Sequence, residues 1–281
     1  MTKMNFNARM VTIILVTAIC AFALFPFWWM ISTSLKPASE IYSYTPSFVP
    51  DNPTLDSYKA VFTMKTRTVD FMRWAGNSAL CALATSFFGL IIACTGGYAI
   101  SRFRFKGRSV IGYSVLVAQV LPATLLILPL FMVLSKFNML NSFVGLITMY
   151  VTLSIPFCTW MMKGFFDTVP ASLDEAALID GAGEFGVFFR IVLPLTLPGI
   201  AVTAFFSFII GWNEYMFASI CMRDYANWTF PMGLASFQGQ YKTDWAIIMA
   251  GSVTITVPIV AIFLALQKFL VGGMTAGAVK Q

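Results

Sequence analysis

The chain has 281 residues, is 58% hydrophobic and only 11% charged, and has a mean hydropathy of +0.80. Soluble domains carry about 25% charged residues, so this chain cannot cover a water-facing surface with polar groups, and a bilayer is its expected solvent. It has no histidine, which argues against Ser/His or Cys/His catalysis and against most zinc sites; the net charge of +6 suits basic membrane loops before it suits nucleic acid.

Six apolar runs are long enough to cross about 30 Å of hydrocarbon at about 1.5 Å per residue. They lie near 11–31, 79–100, 110–134, 143–162, 199–222 and 246–270. Their length and lack of sustained alternation predict helices. The fold class is therefore all-α integral membrane, with six transmembrane helices in one domain over 1–281.

The first run follows Lys3 and Arg9, as a signal peptide would. Its apolar length exceeds the usual signal core, and Phe-Trp-Trp-Met-Ile follows in place of a cleavage site. An uncleaved anchor is expected. The loop over 32–78 holds Pro37, Pro46, Pro50 and Pro53, then Leu55, Tyr58, Val61 and Phe62 at helical spacing after Thr54. It reads as a small cap with one short helix beginning at Thr54. Pro26, Pro122, Pro129, Pro156 and Pro258 fall inside apolar runs, where each can bend its helix.

With the N-terminus inside, the short inner segments hold Lys3, Arg9, Arg102, Arg104, Lys106, Arg108, Lys163, Arg190, Lys268 and Lys280. The short outer loops hold Lys136, Arg223 and Lys242. That ratio of ten to three predicts both termini in the cytoplasm. The turn RFRFKGR over 102–108 is the strongest inside signal. The cysteines Cys20, Cys81, Cys94, Cys158 and Cys221 all lie in apolar runs without CxxC spacing, so neither a disulfide framework nor a metal knuckle is expected.

The inner loop over 163–194 carries the clearest structured pattern. Ser172 and Glu175 fit a capping box, and Asp174 and Glu175 suit the positive end of a helix dipole. Leu173, Ala176, Ala177 and Asp180 follow at helical spacing, and Gly181 ends the helix. A second amphipathic segment runs from Glu184 through Phe185, Phe188 and Phe189 to Ile191, closed by Pro194. Such a helix pair suits a protein partner approaching along the small alanine face, or an interfacial helix on lipid headgroups. Few Lys and Arg residues mark its face, which slightly favours protein.

Glu214 is the lone acid within an apolar run, beside Trp212, Asn213 and Tyr215. An acid at membrane depth faces a cavity or a partner. A polar wall of a solute pathway and a structural hydrogen bond that bends the helix are both open readings. In the loop after 222, Trp228, Phe237, Gln238, Gln240, Tyr241 and Trp245 suit a border belt or contact with an outside protein. No G-x-x-x-x-G-K-[ST] loop occurs, so usual ATP binding is not expected here. A secondary transporter or channel would need coupling-ion sites or repeats, and none is visible.

Glu175-Ala176-Ala177, three residues, Gly181, nine residues, Ile191-x-Leu193-Pro194 resembles the EAA loop of membrane subunits of bacterial ABC importers. LFPFWWMISTSLKP at 24–37, SRFRFKGR at 101–108, GWNEY at 211–215 and GMTAGAVK at 273–280 are similar to carbohydrate permeases of the maltose second-subunit type. The resemblance spans essentially the whole chain. It implies the type I importer architecture and a sugar permease subunit, not itself an enzyme. It also implies a second permease subunit, two ATP-binding subunits that hold ATP and magnesium, and an extracytoplasmic sugar-binding protein. Membrane lipid would surround the spans, and no nucleic acid partner is implied. Glu175, Ala176, Ala177, Asp180, Gly181, Ile191, Leu193 and Pro194 would couple to the ATPase. Thr275, Gly277 and Lys280 in the tail would touch it.

Overall fold

The computed structural model describes residues 6–45, 47–239 and 243–278. Lys3, Pro46, Gln240, Tyr241, Lys242 and Lys280, named above, lie outside them. In chain order the helices are α1 (Phe6–Ser34), α2 (Ala38–Ile41), α3 (Asp56–Thr63), α4 (Phe71–Arg102) and α5 (Arg108–Val120). Next come α6 (Ala123–Lys136), α7 (Phe143–Thr168), α8 (Ala171–Ile179), α9 (Glu184–Val187), a π-helical turn (Phe188–Val192) and α10 (Leu193–Leu195). The chain continues through α11 (Leu197–Asn213), α12 (Met216–Cys221), α13 (Phe230–Ala235) and α14 (Trp245–Ala278).

Four helical segments cross a membrane by length and composition: Arg9–Ser34, Phe71–Arg102, Phe143–Thr168 and Trp245–Phe269. Two more spans exist only as bent pairs, so the expected six is reached when each pair counts as one. The run expected over 110–134 is α5 and α6, which meet at 102°. Pro122 is the cause: the residue before a proline is pushed out of the helical region, and Leu121 is extended at φ −65°, ψ 127°. The run expected over 199–222 is also interrupted. α11 stops at Asn213, and the chain turns before α12. Pro26, Pro129, Pro156 and Pro258 stay within their helices.

The chain forms two compact units. The first comprises Met1–Met72 and Gly233–Val257. Here the loop after α1 is tied to the helix it leaves. Lys36 is buried, sits 5.0 Å from the Trp29 ring centroid, and donates to the Ser47 carbonyl. The Ser47 hydroxyl donates to Glu40 at 2.6 Å and holds that carboxyl below its usual range. Ser34 and Tyr58 share a hydroxyl contact of 2.8 Å. The short helix expected here is α3, but it starts after Leu55, and Thr54 accepts from the Asp56 N–H. Val61 and Ser57 form its buried face, while Leu55 and Phe62 are exposed. Phe71 and Phe237 stack at 5.2 Å.

The second unit comprises Arg73–Met232 and Pro258–Gln281. Its helices approach closely where side chains are small, as expected where lipid supplies no hydrophobic drive between helices. A Cβ on Gly97 would lie 2.9 Å from the Lys163 backbone nitrogen, and one on Gly211 would lie 2.8 Å from the Ala82 Cα. Hydroxyls cross the same seam: Ser86 donates to the Ala204 carbonyl and Ser207 to the Thr85 carbonyl. One apolar cluster gathers Cys81, Met149, Tyr150, Phe217 and Met222. The other gathers Cys94, Cys158, Met162, Phe166 and Val192. All five cysteines are free thiols.

At one end of this unit, Trp74 and Asn77 at the start of α4 donate to the carbonyls of Tyr225, Ala226 and Trp228. Asn141, at φ 55°, accepts from the Arg223 and Asp224 N–H groups and donates to the Asp224 carboxylate. Trp228 is thus half-buried beside Trp74 and Tyr225.

An alanine at Gly211 is expected to wedge α11 off α4, because the nearest obstacle is backbone. Gly211→Ala should cost about 1–3 kcal/mol. A lowered thermal midpoint of the purified protein would show it. Gly76→Ala is the control, since nothing lies within 4 Å of a Cβ there; its midpoint should stay level or rise.

Candidate functional site

The loop between α7 and α11 is built to be stiff. α7 ends at Thr168, and Val169 and Pro170 turn the chain into α8. The helix starts two residues earlier than a Ser172 cap would place it. Pro170 holds the cap position, and Ser172 makes no capping bond. The capping box is therefore not formed: a proline lacks the N–H that a cap must satisfy and has its φ preset for a helix start.

α8 closes in a Schellman motif. The Ala182 N–H donates to the Ala177 carbonyl and the Gly181 N–H to the Leu178 carbonyl, at 2.9 and 3.1 Å. This geometry needs a left-handed residue after the cap, and Gly181 has φ +89°. Gly181 therefore ends α8, as its place in the sequence predicts. Asp180 is the cap residue itself.

The chain returns through α9, the π-helical turn and α10, then bends by 80° into α11. Pro198, near the start of α11, cannot donate to the preceding turn. Thr196 is buried at the bend, and its hydroxyl donates to the Val192 and Leu193 carbonyls.

The motif residues divide between two faces. Ala177 is buried in the cluster with Val187, Phe188 and Val192, and Ile191 and Leu193 pack against it. Glu175, Ala176, Asp180, Gly181 and Pro194 are exposed. Large apolar side chains flank the exposed face: Ile179 is 86% and Phe185 82% exposed, and Leu178 and Phe189 are also open. Single exposed apolar groups are ordinary, whereas a patch on a rigid helix pair marks a contact surface.

Polar contacts tie the loop and the span ends together. The Arg102 Nε lies 2.8 Å from the Asp174 Oδ2, with the two side chains only 13% and 14% exposed. Arg102 also donates to the Val169 carbonyl at 2.8 Å. Ser101 donates to Asp167 at 2.6 Å, and Arg108 donates to the Ser101 carbonyl at 3.0 Å. Tyr98 stands edge-on to Phe166 and 4.6 Å from the Phe188 ring. Burial pushes the Asp174 carboxyl up, and Arg102 opposes that shift.

In the sequence, Arg102 is only an orientation marker and Asp174 only a dipole partner. Seventy-two positions apart, they carry no local sign of contact. The usable signal was a pair of opposite charges, each in a terminal turn facing one loop.

The GWNEY stretch is a helix break. The Glu214 oxygens accept from the Phe217 and Ala218 N–H groups at 2.8 and 3.1 Å, so this carboxylate caps α12. Trp212 is buried and stacks on Phe208 at 5.4 Å. Asn213 and Tyr215 are exposed. Thr275 and Gly277 lie on the last turns of α14, and Lys280 is outside the described residues. The site residues thus form two separate groups, the loop around α8 and the break at Glu214. Among the described residues, no group of three acidic or cysteine side chains could hold a metal.

Removing Arg102 alone leaves a shielded carboxylate without its cation. Arg102→Gln should cost about 3 kcal/mol, and Arg102→Gln/Asp174→Asn should cost less. The pH sign follows from the raised Asp174 value. A carboxyl raised by folding stabilises the fold while protonated and loses that contribution as pH rises through its folded value. The Arg102→Gln protein should therefore lose stability as pH climbs above the ordinary carboxylate range, and the double variant should not. Thermal midpoints across that range check this.

Comparison with known proteins agrees with the multi-pass helical fold. Residues 85–275 match the family model of the binding-protein-dependent transport system inner membrane component. The diacetylchitobiose uptake system permease protein DasC of Streptomyces coelicolor is 34% identical over 267 residues, covering 94% of this chain and 95% of that one. The trehalose/maltose transport system permease protein MalG of Thermococcus litoralis is 36% identical over 273 residues, covering 95% and 94%. In fold, a chain of a bacterial ABC transporter involved in the import of the acidic polysaccharide alginate superposes with a TM-score of 0.80. It is 20% identical and covers 95% of this chain and 99% of that one. With its multi-pass helices and the stiff loop between α7 and α11, this chain belongs to the binding-protein-dependent transport system inner membrane component family.

Proposed function

We propose that this chain is a sugar-translocating permease subunit of an ATP-driven importer in the bacterial cytoplasmic membrane, working by alternating access. It would stand beside a second permease, above two ATP-binding subunits, and receive its sugar from an extracytoplasmic binding protein. Both termini and the α8 loop would face the cytoplasm, which the ten-to-three bias of Lys and Arg supports. ATP and magnesium would be held by the partner subunits.

The observation that carries this reading is the exposed face of α8. Glu175, Ala176, Asp180 and Gly181 are open, on a helix fixed at one end by Arg102 and at the other by the Gly181 turn. An exposed face on a rigid mount can pass a displacement from a soluble motor into the spans. Names of relatives that take up diacetylchitobiose and trehalose/maltose support a sugar as cargo. Thr275, Gly277 and Lys280 would add a tail contact to the ATPase. Trp212, Asn213, Glu214 and Tyr215 would border the pathway, with exposed Asn213 and Tyr215 offering polar and aromatic surface to a sugar.

Two sets of variants test this. Glu175→Lys and Gly181→Asp should reduce ATP-driven sugar uptake in the reconstituted complex by about tenfold or more, the loss expected from one coupling interaction of roughly 1.4 kcal/mol. Uptake at the wild-type rate would overturn the coupling role. Asn213→Ala and Tyr215→Ala should change the uptake rate or the sugar preference. If neither changes, the pathway does not run past this break.

A further inference from the structure

The turn over 102–108 and the start of α5 do more than mark orientation. Where α5 leaves this turn, an open hollow of about 280 Å³ lies against the ends of α4 and α7. Ile100, Arg108, Gly112, Tyr113, Trp160 and Lys163 line it. Gly112 is buried there; a Cβ on it would touch Ile100 and Trp160 at 3.7 and 3.9 Å. A second hollow of about 520 Å³ runs along Arg104, Lys106, Arg108 and Ser109.

The charge at this place is mostly positive. Arg104, Lys106, Arg108 and Lys163 face the two hollows, and the acid nearest them in the hydrogen-bond network is Asp167, which pairs with Lys163. Arg104 and Lys106 have no acidic partner among the described residues. Arg108 uses one guanidinium nitrogen on the Ser101 carbonyl, and its fork has further donors. The Lys163 ammonium is held 5.2 Å from the Trp160 ring centroid.

Below the charge lies an apolar track. Val110, Tyr113, Val117 and Val120 are each more than 60% exposed, and they recur every three or four residues, so they share one side of α5. Trp160 and Tyr113 line the hollow beside Arg108 and Lys163, and such rings suit a membrane border. A free phosphate would use the cations and leave the track bare. A peptide would not require tryptophan, tyrosine and cations at one membrane level.

We infer that this is a binding site for an anionic phospholipid, its phosphate between Arg108 and Lys163 and its acyl chains along the Val110–Tyr113–Val117 side of α5. Basic pockets between membrane helices recognise such headgroups through charge and hydrogen bonds together. Because Arg108 also donates to Ser101, and Ser101 to Asp167, the lipid would brace the turn that presents Arg102. The site lies at the same end of the spans as the α8 loop and does not depend on the cargo or the motor proposed above.

Native mass spectrometry of the purified complex, after exchange into mixed phosphatidylglycerol and phosphatidylcholine, tests the inference. Wild type should retain phosphatidylglycerol in preference. Arg108→Gln/Lys163→Gln should lower that preference about tenfold or more, while Arg108→Lys/Lys163→Arg should keep it. Equal retention of the two lipids by wild type would overturn the proposal, with no variant needed. Displacement of the lipid by excess inorganic phosphate would mark a plain anion site and also overturn it. So would loss of the second permease from the Gln variant with phosphatidylglycerol still retained, which would make these cations a subunit contact.

Discussion

The contact between Arg102 and Asp174 is the point on which the α8 loop depends. α8 has nine residues, too few to hold a helix in water by itself. It persists because its first turn is tied to the last residue of a 32-residue span and its last turn is closed by Gly181. Between the ties it buries Ala177 against Val187, Phe188 and Val192. Each large apolar group so buried contributes about 1.5–3 kcal/mol. The ion pair differs from these in kind. Its net contribution to stability is small beside the cost of breaking it, because the desolvated partner left behind has nowhere to send its charge. Such a pair fixes a position more than it strengthens a fold.

The breaks in the spans follow one logic. Irregular backbone at membrane depth survives only where its polar groups find partners inside the protein. At Glu214 both carboxylate oxygens take up N–H groups at the start of α12. At Thr196 the backbone N–H and the hydroxyl both donate to the Val192 and Leu193 carbonyls. These two interruptions thus carry their own remedies within four residues. A conformational cycle that flexes the chain at either place would therefore begin from a satisfied backbone.

The sequence showed the broad plan because hydropathy is additive and local. Six apolar runs could be counted without knowing a single contact, and Gly181 could be placed because a left-handed turn is a property of one residue. The errors came where a choice was not local. Leu121–Pro122 was read as a bend within a run, yet the structure turns by 102°, since the angle depends on what α5 and α6 pack against. Ser172 fitted a capping pattern, but Pro170 had already started the helix. Leu55 and Phe62 were grouped with Val61, whereas the loop tied by Lys36 and Ser47 presents the Ser57 and Val61 side inward. Arg102 and Asp174 were each visible as charges and invisible as a pair.

The EAA residues divide between an inward and an outward face. Ala176 and Ala177 are adjacent, and on a helix adjacent residues point about 100° apart. Ala177 faces the bundle and Ala176 faces out. A larger residue at Ala177 would lift α8 off Phe188 and Val192, and one at Ala176 would hold a partner away from the helix backbone. The two alanines thus solve opposite problems with the same small side chain. Ile191 and Leu193 repeat the inward role on the returning segment, so the loop is pinned along both of its limbs. A force applied at Glu175 would therefore meet a body with two apolar anchors and one ion pair, and would pass to α4 and α7 rather than be absorbed in the loop.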